Sequence, residues 1–241
     1  MSASQPQITN RRPLVIAHRG ASVEQPENTF AAFRRALALG VDGIELDVHV
    51  TRDGVPFVYH DPNFQRLNGC RRRVTHATWR ELRSLRIGGA EPIPRLSAVL
   101  RLIRGRAIVQ IEIKPGVPVA PVLRAVRAAR AQAGVILSSF SLSILNTAAR
   151  LAPSMPRMLI YSGSHTAPTL VRKMAAVGAA CLCIDQRDVK SAAFVRYFRI
   201  RGHSVWCWTV NRPVDMRRLA SFGVTALVGD DPALLQRTLR Q

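Results

Sequence analysis

The sequence predicts an α/β fold, a closed (β/α)8 TIM barrel with a small insertion after its second strand. Three observations carry this. Eight short runs rich in apolar and β-branched residues alternate with stretches of helical spacing. The length, 241 residues, is that of one such barrel. Charged side chains gather at the ends of the first strands in a single parity, where barrels of this kind place their active sites. An open doubly wound sheet would share the alternation, but no glycine-rich dinucleotide loop follows any strand.

In chain order, residues 1–12 are polar and end in Arg11 and Arg12, which predicts an unstructured arm before a single domain over 13–241. Strands are expected at 14–17, 43–50, 107–113, 135–139, 157–161, 180–184, 204–210 and 225–228. Helical spacing covers 29–39, 96–103, 119–131, 143–149, 168–177, 192–199 and 213–222, with Gly40, Gly134, Gly178, Gly202 and Gly223 as stops. The second strand departs from the plain repeat. It runs into the turn Arg52-Asp53-Gly54 and a further extended stretch at 56–60. Residues 61–95 then show no clear strand, only an arginine run at 71–73, a short helix at 78–85 around Trp79, and Pro92 and Pro94. They read as an insertion over the barrel mouth, and loops of that size are usually functional.

The second strand, GIELDVHVT, sets two acids where a core strand would carry valine. Glu45 and Asp47 share one face, with Ile44, Leu46 and Val48 on the other. Two adjacent buried anions call for a cation, and a hard divalent ion suits carboxylate oxygens. The competing reading is an edge strand with a solvated acidic face. His49 shares the face of Asp47 and is left outside the candidate site.

Composition limits the function classes. Hydrophobic residues make up 47%, and no apolar run approaches the ~20 residues of a membrane span. Nothing at the start resembles a secretory signal, so the expected location is the cytoplasm. The net charge is +20, almost all of it from arginine, with lysine only at Lys114, Lys173 and Lys190. Such a field draws anions, including phosphate esters and the surface of an anionic membrane. The arginines are dispersed along helices, which argues against a specific nucleic-acid footprint. Cys70, Cys181, Cys183 and Cys207 lack metal-ligand spacing and read as reduced core thiols.

At the strand ends stand His18 and Arg19, then Glu45 and Asp47, then His60 and Asp61 after the extension, then Glu112 and Lys114. Glu112 and Lys114 repeat the spacing of two, which adds a third acid and an ammonium to one mouth. Three carboxylates suit one hard metal with open positions, Mg2+ or Ca2+ alike. Two imidazoles, a guanidinium and an ammonium beside it suit attack on a phosphodiester. The expected partner is therefore a small-molecule phosphodiester, with peripheral contact to an anionic membrane as a further expectation. The oligomeric state is not legible.

The sequence also resembles the glycerophosphodiester phosphodiesterases. The resemblance lies in His18-Arg19-Gly20, Pro26-Glu27-Asn28-Thr29, Glu45-Leu46-Asp47-Val48 with Thr51 and Asp53-Gly54, and His60-Asp61. It continues in Glu112-Ile113-Lys114, Ser138-Ser139-Phe140, Trp208-Thr209-Val210-Asn211 and Asp230 with Pro232. It implies a metal-dependent barrel that cleaves deacylated phospholipids to glycerol 3-phosphate and an alcohol. By the same resemblance, Glu45, Asp47 and Glu112 bind the metal, His18 and His60 are the acid and base pair, and Arg19 and Lys114 contact phosphate. Trp208 either walls the glycerol pocket or is a core tryptophan, and Asn28 or Thr29 caps the first helix. Gly229 departs from the threonine usual in this family. Two alternatives stand beside this reading: a lysophospholipase D-like enzyme, and an idle basic adaptor for anionic surfaces.

Overall fold

A computed structural model describes residues 12–240. Eight parallel strands form the barrel: β1 (Leu14–His18), β2 (Gly43–Val50), β3 (Ile108–Ile113), β4 (Val135–Ser139), β5 (Arg157–Tyr161), β6 (Cys181–Asp185), β7 (Ser204–Trp208) and β8 (Ala226–Gly229). β1 pairs in parallel with both β2 and β8, so the sheet closes on itself. A short strand, Pro56–Val58, runs antiparallel on the far end of β2, with Val48 opposite Val58.

Each barrel strand is followed by a helix: α1 (Phe30–Ala38), α2 (Leu96–Ile103), α3 (Val119–Ala128), α4 (Leu142–Leu151), α5 (Ala167–Ala176), α6 (Ala192–Arg199), α7 (Pro213–Ser221) and α8 (Pro232–Arg240). Helix α8 escapes the sequence pattern because its buried stripe is Pro232, Leu235 and Thr238, only one of them a strong hydrophobe. The others follow apolar periodicity closely. In α2, Leu96, Val99, Leu100 and Ile103 are all buried, one turn after another on a single face. Thr29 caps α1, its Oγ1 accepting from Ala32 N at 3.2 Å, and Ser141 and Ser191 do the same for α4 and α6. Four of the expected glycine stops have positive φ, but Gly134 does not. After α3 the left-handed position is Arg130, at φ 50°, and Gly134 ends a 3-10 turn.

Alternation along the strands separates two apolar layers. Outward residues such as Val15, Ile44, Leu46, Ile111 and Leu227 pack under the helices. Inward residues Leu14, Ile16, Met158, Ile160, Cys183, Trp206, Ala226 and Val228 fill the barrel. On that inner face β2 and β3 contribute Glu45, Asp47, Gln110 and Glu112, all buried. All eight residues of β2 are buried, between β1 and β3, which excludes the solvated edge strand.

The insertion at 61–95 has more structure than its sequence shows. Asn63–Phe64 pairs with Cys70–Arg73, and Arg86–Ile87 with Glu91–Pro92, both antiparallel. Cys70–Arg73 is exposed throughout, so its arginine run gives no alternation to read. The expected helix shortens to Trp79–Leu82, capped by Thr78 and Glu81 in a capping box. Phe57, Tyr59, Phe64, Val74, Ala77, Leu82 and Ile93 form a core of their own, apart from the barrel's.

The arm expected at 1–12 lies outside the described residues up to residue 11, and Arg12 pairs with Asp42 at 3.0 Å. Among the described residues no helix is long and apolar enough to cross a membrane. The four cysteines are free. Cys183 and Cys207 are buried and Cys181 partly so, whereas Cys70 is exposed and not a core thiol.

Candidate active site

At the carboxyl end of β1 the chain turns sharply. Arg19 is left-handed at φ 57°, and Gly20, at φ 86°, sits where a Cβ would lie 2.7 Å from Ala32. This turn folds Arg19 back over β2. Its backbone N–H donates to the Glu45 carbonyl at 3.0 Å and faces Glu45 Oε2 at 3.2 Å. Its guanidinium donates from Nη1 to both oxygens of Glu27 at 3.2 Å. Arg19 Nε lies 3.2 Å from Asp47 Oδ2, an ion pair without hydrogen-bond alignment. The register of the sheet sets His18 beside Glu45, Glu45 beside Gln110, and Asp47 beside Glu112.

Glu45, Asp47 and Glu112 each offer one carboxylate oxygen within 4.8 Å of the others. Hard cations bind oxygens at about 2.0–2.6 Å, so one ion can span the trio. Their electrostatics differ. Burial alone would raise Asp47, but Lys114 and Arg19 outweigh it and hold the carboxyl low. Lys114 Nζ stands 2.6 Å from Asp47 Oδ1 and 2.6 Å from Glu112 Oε1, and Asn28 Nδ2 donates to Asp47 Oδ2 at 2.8 Å. Glu45 has no cationic side chain so close. Burial first, then the Asp47 charge, pushes it well above the usual carboxylate range. Glu112 is raised for the same reasons, despite Lys114. An all-oxygen donor set short of positive charge fits a hard divalent ion.

The two histidines are each held by a different carboxylate. His18 Nδ1 meets Asp230 Oδ1 at 2.6 Å, and its Nε2 is 3.9 Å from Glu45 Oε2. Burial would lower this imidazole, but the Asp230 hydrogen bond and the Glu45 charge outweigh it, and the net shift is upward. Asp230 is itself fixed by Asn211, whose Oδ1 accepts from Asp230 N at 2.9 Å. His60 Nδ1 meets Asp61 Oδ1 at 2.7 Å. Each imidazole that gives its Nδ1 proton to a carboxylate presents Nε2 to the pocket.

Between them lies a cavity of about 200 Å³. Its lining combines the polar His18, Arg19, Glu45, His60, Gln110, Glu112 and Lys114 with Phe140, Ile160, Cys183, Trp208 and Val228. Phe140 meets Trp208 edge-on, ring centroids 5.6 Å apart. Of the eight side chains expected at the mouth, six line this cavity, while Asp47 joins it through the acidic trio and Asp61 stands behind His60. A larger groove, about 480 Å³ between Asp42, Arg104 and Arg130, opens at the other end of the barrel, away from these groups.

Several contributors lie outside the expected catalytic set. Arg66, in the insertion, bonds Asp61 at 2.7 Å and also Glu27, linking the carboxylate behind His60 to the one behind Arg19. His49 is buried and stacks on Phe57 at 5.9 Å, and its Nε2 donates to the His60 carbonyl at 3.2 Å. Burial drives its imidazole down to about 4, so it is neutral and structural. Of the two candidate caps only Thr29 caps α1, and Asn28 serves Asp47 instead. The usable signal was parity: His49 and Gln110 share the inward face with Asp47 and Glu112.

The sequence profile described as the glycerophosphoryl diester phosphodiesterase family matches residues 18–234. The chain belongs to that family. It is accordingly an enzyme, a phosphodiester hydrolase. A family member from Caldanaerobacter subterraneus subsp. tengcongensis, named glycerophosphodiester phosphodiesterase, is 34% identical over 95% of this chain and 99% of its own. Among solved family structures, the putative glycerophosphoryl diester phosphodiesterase of Silicibacter pomeroyi superposes with a TM-score of 0.86 at 29% identity, covering 97% of each chain. An Oleispira antarctica phosphodiesterase, solved in complex with the product sn-glycerol-3-phosphate, superposes with a TM-score of 0.88 at 25% identity. That match covers 95% of this chain and 98% of the other.

Proposed function

We propose that this enzyme hydrolyses glycerophosphodiesters to sn-glycerol 3-phosphate and an alcohol, using a divalent ion, Mg2+ or Ca2+, held by Glu45, Asp47 and Glu112. One observation carries the reading. Both histidines, each with a carboxylate on Nδ1, line the cavity that the acidic trio borders.

When bound, the ion supplies charge neutralisation for the phosphate oxygens and orients the group for attack. The chain's own residues do the rest. Arg19 and Lys114 stand where they contact nonbridging oxygens, each already tied to an acid that fixes its direction. A poor leaving group needs a proton as the P–O bond breaks, and the attacking oxygen must lose one. His18, with the Asp230 and Glu45 charges favouring its imidazolium, is suited to donate from Nε2. His60 is suited to accept. Trp208 and Phe140 wall off the side away from the acids and limit water there.

The test is turnover of glycerophosphocholine with and without chelator. The expected result is hydrolysis that disappears with chelator and returns with Mg2+ or Ca2+. Glu45→Gln and Asp47→Asn are expected to abolish turnover even at saturating metal. Wild-type rates from either variant would remove these residues from the metal site.

A further inference from the structure

Because the eight strands are parallel, every turn from a helix back to a strand lies at the amino end of the barrel, opposite the candidate active site. Charge divides unevenly between the two ends. Of the chain's 15 acidic residues only Asp42 stands in one of these turns, and it is already engaged by Arg12 at 3.0 Å and the Val15 N–H at 2.8 Å. Arginines fill the same turns: Arg104 and Arg106 after α2, Arg130 after α3 and Arg201 after α6, with Arg150 and Arg199 in the last turns of α4 and α6. All six are exposed. Among the described residues, Arg12 is the one arginine of these turns paired with an acid. Dispersed along the sequence, these cations gather in space because the helices all end on one side.

Helix carboxyl ends attract cations by themselves, and part of the set serves there. Arg104 donates to the Ala129 carbonyl at 3.1 Å, Arg199 to that of Gly223 at 3.3 Å and Arg201 to that of Tyr197 at 2.9 Å. Capping does not account for Arg106, Arg130 and Arg150, whose exposed side chains have no hydrogen-bond partner among the described residues. Arg104, Arg106 and Arg130 line the groove of about 480 Å³ at this end, which has room for a phosphate headgroup. Aliphatic side chains stand among the cations. Ile200 is 71% exposed between Arg199 and Arg201, and Leu151, 45% exposed, follows Arg150. Neither offers a ring to stack on a base, the usual anchor for nucleic acid bound without sequence readout. Cations for phosphate with aliphatic side chains between them suit the interface of a bilayer.

We propose that the amino end of the barrel docks on an anionic phospholipid surface, with the arginines of the helix-to-strand turns on lipid phosphates and Ile200 and Leu151 in the interface. The active-site mouth then faces water, and docking fixes where the enzyme works without entering its chemistry.

The test is co-sedimentation of the full chain with vesicles of phosphatidylcholine alone or with about 30% phosphatidylglycerol, in about 0.1 M salt. The wild type is expected on the charged vesicles only. An arginine near such a surface is worth roughly fivefold in partitioning, so the combined variant Arg106→Gln, Arg130→Asn and Arg150→Gln should bind on the order of 100-fold more weakly. A control removes the same charge from the insertion at the other end, Arg71→Gln, Arg73→Gln and Arg80→Gln, and should lose less than about threefold. Ile200→Ser with Leu151→Ser should weaken vesicle binding about tenfold and leave binding to a DNA duplex unchanged. Wild-type binding to both vesicle types alike, or to neither, overturns the proposal and needs no variant. So does a control that loses as much as the amino-end variant, since net charge alone would then explain the binding. A DNA duplex bound as tightly as the charged vesicles, with the serine variant unimpaired on both, assigns the face to nucleic acid and overturns the lipid reading.

Discussion

Glu45→Gln is expected to stabilise the metal-free protein while removing its response to metal. Glu45 is buried against Asp47 and Glu112, and the Arg19 N–H at 3.2 Å and His18 Nε2 at 3.9 Å offset only part of its charge. A glutamine keeps an oxygen for that N–H and removes one of three crowded anions. The pH dependence has a definite sign. Burial, then the Asp47 charge, raises the folded carboxyl above the ordinary value of 4.5. The folded wild type thus holds a proton that the unfolded chain has released. The stability this gives is complete below the unfolded value and is lost as pH rises through the folded one. Each unit of the shift is about 1.4 kcal/mol, so a gain on the order of 2 kcal/mol, or about 4–8 °C in Tm, is expected for Glu45→Gln above that range. The assay is thermal unfolding in chelator at pH 5 and pH 8.5, then with added Mg2+ or Ca2+. The expected pattern is little difference at pH 5, a higher Tm for the variant at pH 8.5, and a metal-induced rise in the wild type alone. A variant less stable than wild type at pH 8.5 without metal, or one that keeps the metal-induced rise, refutes the reasoning.

Of His18→Ala and His60→Ala, the one lacking the leaving-group acid is expected to recover most of its loss, about 10² to 10⁴, on a p-nitrophenyl ester. The charges around His18 favour it for that role, and equal losses by both variants on natural and activated esters would contradict the division. Asp230→Asn replaces the charged acceptor that raises His18 with a neutral amide, so the alkaline limb of the kcat/KM profile should move to lower pH; an unmoved limb would dissociate His18 from it. Arg66 is more than half exposed, so Arg66→Ala should change stability by less than about 1 kcal/mol. Turnover is nonetheless expected to fall about tenfold, because Asp61 and Glu27 lose their shared anchor, and steady-state kinetics beside a melting curve checks both halves.

The barrel was legible because its inner and outer faces alternate cleanly, as Ile44, Leu46 and Val48 do against Glu45 and Asp47. The grouping of the candidate site's acids on one face came from the same rule. What escaped reading depends on contacts distant in sequence. Nothing near His18 announces that Asp230 will hold its Nδ1, and nothing near Arg19 announces Glu27 and Arg66. Gln110 looks like a polar interruption between Val109 and Ile111 until register sets it beside Glu45. The glycine at 229 becomes intelligible only in three dimensions, since a Cβ there would lie 2.6 Å from the Val210 carbonyl. The small hairpins of the insertion were missed because two-residue strands and an exposed arginine run carry no period.

The insertion's separate core has an evolutionary corollary. Phe57, Tyr59, Phe64, Val74, Ala77, Leu82 and Ile93 pack on one another rather than on the residues beneath the barrel helices. Changes there are paid for locally, so this cap can drift, lengthen or be exchanged while the barrel beneath keeps its folding energy. Its polar tie to the reaction chamber among the described residues includes the Arg66 bridge to Glu27 and Asp61. A descendant that preserved that bridge could reshape the rim and acquire a taste for a different alcohol without relearning how to fold.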